Sequence, residues 1–476
     1  MRVLLTGATG YIGRRLKEKL LEDENIQIRL FVRNKRKIRD KHQDRIEIYE
    51  GDTFHIESLH RALEGIEVAY YLIHSMGAKD DFKKLDRLSA ENFLGACLKA
   101  KVKRIIYLGG LGEKQTASKH LLSRIETGEI LSSKPDLIQT IWFRAGIIIG
   151  SGSASFEIIR NLVQKLPFMI TPRWVHTKTQ PIGVSDVLDY LSQAKNLETK
   201  ENLVVDIGSK PMSFKEMLIR AAKVMGLKRR IIAVSLLTPR LSSYWLILMT
   251  PVPYRLAKAL VEGLKSETII QNENAKKYFH SIYPISYEKA ISTAIAEIEK
   301  NQVLSRWCDS SAKEECDIKG QETIEAAVLS LKISNDFGQT SPEKVFASVL
   351  SIGGLEGWYK CNWLWKIIGS IDKLIGGPGL QCSRRDLYDF RIGDSLDFWK
   401  VADLIKGKRL LLVGQMKLPG KAWLEFSIEG TTLVLSASFL PKGLWGRLYW
   451  YSTKLLHTFL FSDISKGIVQ RAKSLA

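Results

Sequence analysis

The chain has 476 residues, a formal net charge of +20 and an apolar fraction of 45%. This length and apolar content can fill the cores of two or three globular domains, so an intrinsically disordered protein is excluded. The longest uncharged stretch, between Arg240 and Arg255, contains Pro251 and Pro253. It is shorter than the roughly 20 helical residues that cross a bilayer, so an integral membrane protein is excluded as well. The five scattered cysteines match neither a zinc site nor a disulfide framework.

Short apolar runs alternate with longer amphipathic segments over the first 150 residues. Strands alternating with helices are typical of βαβ units and a parallel sheet. Nearly continuous apolar strands further indicate a sheet with helices on both faces. We therefore predict a doubly wound α/β Rossmann sheet with strands at 3–5, 26–32, 46–49, 68–73, 104–108 and 139–143.

The rest of the chain predicts an irregular cap and a second domain. We assign 1–305 to the Rossmann domain, with cap segments mainly within the proline-interrupted stretch 165–300, and 306–324 to a polar linker. The domain at 325–476 contains seven of the eleven tryptophans. There, Ser341 and Pro342 predict the start of a helix that ends near Leu350. Several later strand-like runs and a long amphipathic segment predict an α+β fold; these lie at 398–401, 409–413, 422–428, 432–439 and 444–472.

A glycine pattern stands between the first predicted strand and the first predicted helix. Gly7 permits a tight turn, Gly10 lets the backbone approach a pyrophosphate, and Gly13 allows close packing of helix on sheet. The phosphates would then lie at the helix N-terminus. The strand-turn-helix context makes a dinucleotide site the favoured interpretation over a structural turn. Its predicted contacts are Gly7, Thr9, Gly10, Tyr11, Ile12 and Gly13.

The residues after the second strand predict the cofactor. An acidic residue there would bind a free ribose 2′-hydroxyl, but this chain has Arg33 and Lys35. These cations favour NADP (NADPH) over NAD, and an exposed basic loop is the alternative. Further cofactor contacts are predicted after the next two strands, at Asp52, Thr53, Ile73 and His74.

These motifs resemble the extended and atypical short-chain dehydrogenase/reductase superfamily. The resemblance rests on 6–13, on Gly51-Asp52 and on the strand that ends at 72–75. Segments further along resemble a bacterial atypical subgroup, at 107–112, 120–124, 144–146, 150–157, 172–175, 376–379, 393–399, 418–423 and 443–450. Members of that subgroup carry a C-terminal domain of unknown function similar to the START and polyketide-cyclase helix-grip fold. The resemblance implies a START-like ligand-binding domain at 325–476.

The usual catalytic residues of that superfamily are missing. Its members use a serine after the fifth strand and a Tyr-x-x-x-Lys helix, whereas this fifth strand ends in Leu108, Gly109 and Gly110. The one Tyr-x-x-x-Lys spacing, Tyr254 to Lys258, lies far downstream and is interpreted as coincidence.

His120 and Arg124 stand where the tyrosine and lysine are expected, with the same separation. A histidine has an ordinary pKa of about 6.5, so His120 could exchange a proton near neutrality. Arg124, one helical turn away, could hold the cofactor ribose or a substrate carboxylate. We predict these two as catalytic residues; an ordinary polar rim is the alternative. His74 is a second candidate.

Two functional hypotheses follow. The first is an NADP-dependent oxidoreductase or epimerase-like enzyme that acts on an apolar carbonyl or alcohol. The second is a non-catalytic NADP(H)-binding sensor or assembly factor, which the missing serine and tyrosine favour.

Partners and location are predicted from charge and aromatic residues. The basic run at 29–45 has no accompanying nucleic-acid module, so nucleic acid is not expected as a partner. The aromatic C-terminal domain predicts a lipid-like ligand, or equally a well-filled core. The segment 241–251 predicts peripheral membrane contact, or a buried cap helix. Because the chain enters its first strand directly, we expect a cytoplasmic protein with peripheral contact at the inner face of the membrane.

Overall fold

The computed structural model describes residues 1–35, 38, 44–74, 82–234, 262–263, 266–299, 329–353, 357–358, 362–375, 377, 379, 390–441 and 443–474. The chain forms two compact units, 1–307 and 308–476, and each is described by itself.

The described residues of the first unit form thirteen strands, seven of which make up one parallel sheet. The strands are β1 (Arg2–Thr6), β2 (Gln27–Val32), β3 (Ile46–Glu50), β4 (Val68–Tyr71), β5 (Arg104–Gly110), β6 (Gln139–Ala145), β7 (Ile148–Ile149), β8 (Phe168–Pro172), β9 (Lys178–Thr179), β10 (Ile182–Gly183), β11 (Leu203–Ile207), β12 (Met212–Ser213) and β13 (Arg230–Val234). The sheet order is β11-β6-β5-β4-β1-β2-β3. The order reverses between β1 and β4, which creates a crevice at the carboxyl ends of these two strands.

Helices cover both faces of this sheet. They are α1 (Tyr11–Leu21), α2 (Ile56–Leu63), α3 (Phe82–Lys99), α4 (Lys119–Leu131), α5 (Ala154–Lys165), α6 (Val184–Ala194), α7 (Phe214–Val224), α8 (Asn274–Tyr278) and α9 (Tyr287–Glu299). Successive strand residues point to opposite faces, so Leu4 and Leu5 enter two different hydrophobic cores. The predicted doubly wound α/β sheet is therefore confirmed. The strand β11 was not predicted.

The predicted cap region is more regular than its prolines suggest. Helices α5, α7 and α9 enclose a third hydrophobic core, and three two-stranded sheets accompany it. The prolines of this region that the structure describes lie at element boundaries, where the missing amide and fixed φ are tolerated. Pro172 ends β8, for example, and Pro211 directly precedes β12.

A buried carboxylate connects the first turn of α6 to the chain that precedes α9. Asp186 is 4% exposed and accepts a hydrogen bond of 3.1 Å from the Ile285 backbone amide. Burial, the largest cause, raises the pKa of this carboxyl from 3.8 to about 6, although hydrogen bonds from Ile285 and Gly183 oppose the rise. The ionised side chain is therefore a cost to folding at neutral pH.

We expect Asp186→Asn to change how the stability of the first unit depends on pH. Between about pH 4 and pH 6 the folded wild type binds more protons at this site than the unfolded chain does, so its free energy of unfolding falls as pH rises. Asparagine does not titrate. The variant should gain stability over the wild type across this window, by up to about 3 kcal/mol at neutral pH. Calorimetry from pH 4.5 to 7.5 measures the gain, and a difference that is constant with pH would contradict the assignment.

The second unit is an antiparallel sheet with helices. Its elements are β14 (Leu329–Asp336), α10 (Pro342–Val349), α11 (Asn362–Leu374), β15 (Ser395–Leu396), β16 (Trp399–Ile405), β17 (Arg409–Gly414), β18 (Gly420–Glu429), β19 (Thr432–Pro441) and α12 (Gly443–Ser474). The strand order is β14-β19-β18-β17-β16-β15. As predicted, Ser341 caps α10 by accepting a hydrogen bond from the Lys344 amide and Pro342 begins the helix.

The tryptophans of the second unit divide into two groups. The buried group consists of Trp358, Trp365, Trp399, Trp423 and Trp450. The first three pack with phenylalanines in the main core, Trp423 belongs to a smaller core with Leu411 and Val413, and Trp450 stacks on Phe439. Trp363 and Trp445 are 63% and 76% exposed.

Several predicted features lie outside the described residues: the linker 306–324, the segment 241–251 and the pair Tyr254/Lys258. Within the described part of the chain, no helix combines the length and the apolar character needed to cross a bilayer.

Candidate functional site

The glycine loop turns tightly between β1 and α1. Gly7 has a φ of +66°, and a Cβ there would lie 2.5 Å from the Leu72 carbonyl oxygen. The Gly10 amide donates a hydrogen bond of 2.8 Å to the Gly7 carbonyl. A Cβ at Gly13 would lie 2.1 Å from that same oxygen, so helix α1 packs onto the loop backbone. Only glycine fits at Gly7 and Gly13.

The N-terminus of α1 suits an anionic group. The N-cap residue Gly10 makes no side-chain capping bond, and no acidic residue stands in the first turn. The amides of this turn have no intrahelical acceptor and point toward the loop, which is how helix N-termini bind phosphates.

The other predicted loop contacts differ in where their side chains lie. Ile12 packs against the core beneath the sheet, so only its backbone faces the loop. Tyr11 is half-buried with its hydroxyl oxygen enclosed, and the guanidinium carbon of Arg15 lies 5.1 Å from the tyrosine ring centroid. Burial raises the pKa of the Tyr11 phenol to about 12, which keeps it protonated. The Thr9 carbonyl accepts a hydrogen bond of 3.1 Å from Arg14 Nε.

The side of the crevice predicted to hold the adenosine combines exposed cations with a carboxylate. Arg33 and Lys35 are exposed directly after β2. Asp52 is half-buried after β3, and its Oδ1 accepts a hydrogen bond of 3.2 Å from the Phe54 amide. Thr53, by contrast, is buried, and its Oγ1 accepts a hydrogen bond from Ser89 Oγ on α3. Its side chain therefore faces the α3 interior.

A polar cluster lies at the carboxyl ends of β4 and β5. His74 Nδ1 lies 3.2 Å from Asp86 Oδ2, and Ser123 Oγ donates a hydrogen bond of 2.8 Å to the same oxygen. The His120 ring stands edge-to-face to the His74 ring, with centroids 6.4 Å apart. One turn further along α4, Arg124 Nη2 donates to the carbonyl oxygen at the end of β5, Leu108 O. We call His74, Asp86, His120, Ser123 and Arg124 the histidine cluster.

The surroundings of His74 keep it neutral. Burial, the largest cause, lowers its pKa below the ordinary value near 6.5. The Asp86 carboxylate opposes this, while Arg124 and His120 lower the pKa further. A neutral His74 that donates its Nδ1 proton to Asp86 leaves Nε2 as a proton acceptor.

The space of the missing serine is filled by hydrophobic packing. A Cβ at Gly109 would lie 2.4 Å from Trp142 Nε1, and one at Gly110 would lie 2.6 Å from Leu121 Cδ1. Trp142 also packs onto Gly128 of α4, where a Cβ would lie 2.3 Å from the indole ring. The two glycines that end β5 are therefore required by packing of the indole and of Leu121.

A second polar pair fixes the adjacent edge of the sheet. Arg144 at the end of β6 makes two hydrogen bonds, of 2.6 and 2.9 Å, to Asp206 of β11, whose side chain is fully buried. Asp206 Oδ2 also accepts a hydrogen bond of 2.8 Å from the Gln271 amide. This ion pair fastens the chain around Gln271 to the carboxyl edge of the sheet.

Only some of the predicted site residues have side chains that lie close together in the structure. His74, His120 and Arg124 share one cluster, whereas the basic pair after β2 stands at the other side of the crevice. Asp86 and Ser123 were not predicted as functional. Asp86 follows His74 by 12 residues and lies within α3. From the sequence, a single aspartate in a helix is interpreted as an exposed surface residue. No sequence signal singles it out, because only the packing of α3 against α4 brings it to His74.

Comparison with known proteins identifies the class of the first unit. Residues 7–136 match a family model described as NAD(P)H-binding. Together with the parallel sheet and the glycine loop, this match indicates an NAD(P)-binding domain of Rossmann type. Residues 333–464 match a protein family of unknown function, DUF2867, which names no ligand or reaction.

Individual relatives are distant. An uncharacterized chloroplastic protein of Arabidopsis thaliana is 26% identical over 240 residues, covering 44% of this chain and 70% of that protein. The triphenylmethane reductase of Citrobacter sp. has a TM-score of 0.52 at 19% identity, over 62% of this chain and all of the reductase. Its complex with NADP(H) gives a TM-score of 0.50 at the same identity and coverage. These structural likenesses establish the fold.

We expect Gly10→Val to abolish nucleotide binding in a folded protein. Gly10 has φ −80° and ψ 175°, a backbone conformation that valine adopts without strain. Its side chain would occupy the space where a pyrophosphate meets the backbone. Titration with NADPH and NADH should show no saturable binding, while circular dichroism stays unchanged.

Gly95→Ala is the matched control, because a Cβ there meets nothing within 4 Å. A folded Gly10→Val protein that keeps its nucleotide affinity would remove the main support for the loop as a binding site.

Proposed function

We propose that the chain is an NADP-dependent oxidoreductase that acts on the carbonyl or alcohol group of an apolar small molecule. The observation that carries this proposal is the histidine cluster, which stands at the carboxyl ends of β4 and β5 beside the glycine loop. Dinucleotide-binding sheets hold their reacting groups at this edge. A titratable pair oriented by a buried carboxylate is the arrangement that proton transfer requires.

Specificity for NADP is proposed from the charges after β2. Arg33 and Lys35 are exposed there. Arg33 directly follows β2, so no acidic residue stands at the position that would bind a free ribose 2′-hydroxyl. A 2′-phosphate is dianionic, so either cation would make a charge-assisted hydrogen bond worth about 1.5 to 3 kcal/mol.

Arg33→Asp should reverse the preference between the two nucleotides. The wild type is expected to bind NADPH at least about tenfold more tightly than NADH, which is about 1.4 kcal/mol. In the variant, the carboxylate repels the 2′-phosphate and accepts a hydrogen bond from a free 2′-hydroxyl. Paired titrations with NADPH and NADH at one fixed ionic strength measure the ratio.

Arg61→Asp provides the control, since it makes the same charge change at an exposed position of α2. Equal wild-type affinities for the two nucleotides, or equal effects of both variants, would show that the basic residues form only a solvated surface.

The proposed chemistry assigns proton transfer to His120. When bound, the reduced nicotinamide supplies a hydride to the substrate carbonyl carbon. As the C=O π bond opens, the protonated imidazole of His120 delivers its proton to the oxygen, which gives an alcohol. In the oxidative direction the neutral imidazole accepts that proton. Arg124 would hold a ribose hydroxyl or a substrate carboxylate one turn away.

His74 and Asp86 act as positioning residues in this proposal. The Ser123 hydroxyl donates to the Asp86 carboxylate, which in turn holds the His74 ring. His74 then limits the orientation of the neighbouring His120 ring. The negative charge of Asp86 also supports the positive charge of a protonated cluster.

His120→Ala should lower turnover by about 10²- to 10⁴-fold with little loss of NADPH affinity. His74→Ala should lower turnover less, because it removes a positioning ring. Turnover is followed by the absorbance of NADPH across a panel of apolar aldehydes, ketones and alcohols. His280→Ala, an exposed histidine far along the chain, is the control. An active wild type whose His120→Ala variant keeps its full rate contradicts the assignment.

Asp86→Asn tests the cluster through its pH dependence. The carboxylate raises the pKa of His74, so its removal should lower that pKa. The rate of carbonyl reduction falls as the cluster loses the proton that is delivered to the substrate oxygen, so this alkaline limb of the rate profile should move to lower pH. A purely structural role would reduce the rate without moving that limb.

A non-catalytic NADP(H) sensor is the alternative function, and the filled serine position at Gly109 and Gly110 favours it. Absence of any hydride transfer across the panel, with NADPH affinity retained, would support the sensor.

We extend the proposal to the second unit as a START-like domain that binds the same or a related apolar molecule. Support comes from its antiparallel sheet and long C-terminal helix α12. Native mass spectrometry of the purified chain would detect an apolar molecule that is retained there.

A further inference from the structure

Helix α12 exposes an apolar stripe along its first half. Trp445, Leu448, Tyr451, Leu455 and Phe459 recur at intervals of three or four residues, which places them on one face of a helix. Each is at least 60% exposed, and Leu455 reaches 86%. Monomeric domains seldom expose contiguous apolar surface of this kind without a partner.

The neighbouring helix α11 is also apolar on its outer side. Trp363, Ile367, Ile371 and Leu374 are between 45% and 75% exposed. Its one carboxylate, Asp372, is instead 4% exposed and accepts hydrogen bonds of 2.7 and 2.8 Å from backbone amides. The helix therefore has its acidic residue inside and its large apolar residues outside.

The two stripes belong to adjacent helices. The ring of Trp365 on the inner side of α11 lies 6.4 Å from the ring of Phe461 on α12. The Asp372 carboxylate also contributes to raising the pKa of Tyr449 on α12, after burial. Both helices use their inner faces for packing within the second unit, so both apolar stripes point away from it. We call these stripes the α11–α12 apolar surface.

Among the described residues of the two helices, the exposed charges along this surface are all positive. Arg447 and Lys454 are exposed on the first half of α12, and Lys366 is exposed on α11. No aspartate or glutamate occurs between residues 443 and 462.

We propose that the α11–α12 apolar surface docks on a lipid bilayer that contains anionic phospholipid. Exposed leucine, isoleucine and phenylalanine side chains would enter the acyl boundary, tryptophan and tyrosine would lie at the headgroup level, and the cations would contact lipid phosphates. A second copy of the chain fits less well, because each copy has a net charge of +20 and carries the same cations at this surface. This inference does not depend on the proposed oxidoreductase activity.

Vesicle flotation of the full chain tests the proposal. The wild type should float with vesicles of phosphatidylcholine and phosphatidylglycerol at low salt, bind them more weakly at high salt, and bind phosphatidylcholine vesicles weakly at either salt concentration. The Leu448→Gln/Leu455→Gln variant should lose at least about tenfold in affinity for the anionic vesicles. Leu137→Gln is the matched control, since Leu137 is a 70% exposed leucine of the first unit.

Both substituted leucines are exposed, so the variant should keep the wild-type circular dichroism and melting temperature. Absence of wild-type binding to anionic vesicles would overturn the proposal, as would full binding by the double variant. Light scattering gives a further decisive outcome. A wild-type dimer that the double variant converts to monomer, without vesicle binding, would assign the surface to contact between copies.

Discussion

The first unit depends on one close backbone approach, between helix α1 and the loop that precedes it. The absence of a side chain at Gly13 lets the helix start within contact distance of the Gly7 carbonyl. That contact fixes the direction of α1 against β1 and leaves its first amides without acceptors. The shape of the crevice at the predicted nucleotide site thus depends on the absence of a Cβ at Gly13. The Thr6 hydroxyl links this loop to β4 by donating to the Tyr70 carbonyl and accepting from the Leu72 amide.

Local patterns predicted most of the fold, because each depends on neighbours in sequence. Apolar runs predicted six strands of the sheet, and the N-cap residue before Pro342 predicted the helix that begins there. The glycine loop was also predicted from adjacent residues. Strand β11 was missed because the short run 203–207 lies within the proline-interrupted stretch 165–300 that we interpreted as an irregular cap.

The chemistry-bearing contacts were less predictable. His120 and Arg124 are visible as a spacing on one helix, but Asp86 becomes significant only when α3 packs beside α4. The exposure of Trp363 and Trp445 could not be predicted from the sequence either. Seven tryptophans in a small domain suggest a core, and only the packed structure separates the exposed Trp363 and Trp445 from the five that are buried.

Trp142 has a consequence for how this site can change by mutation. Its indole is held between Gly109 and Gly128, so neither glycine can gain a side chain while the ring remains. A serine at Gly109 would therefore require a smaller residue at Trp142, and that second substitution alone leaves a cavity that costs about 3–5 kcal/mol. Each position thus limits what the other can accept, so we expect the effects of the two substitutions on the free energy of unfolding to be non-additive.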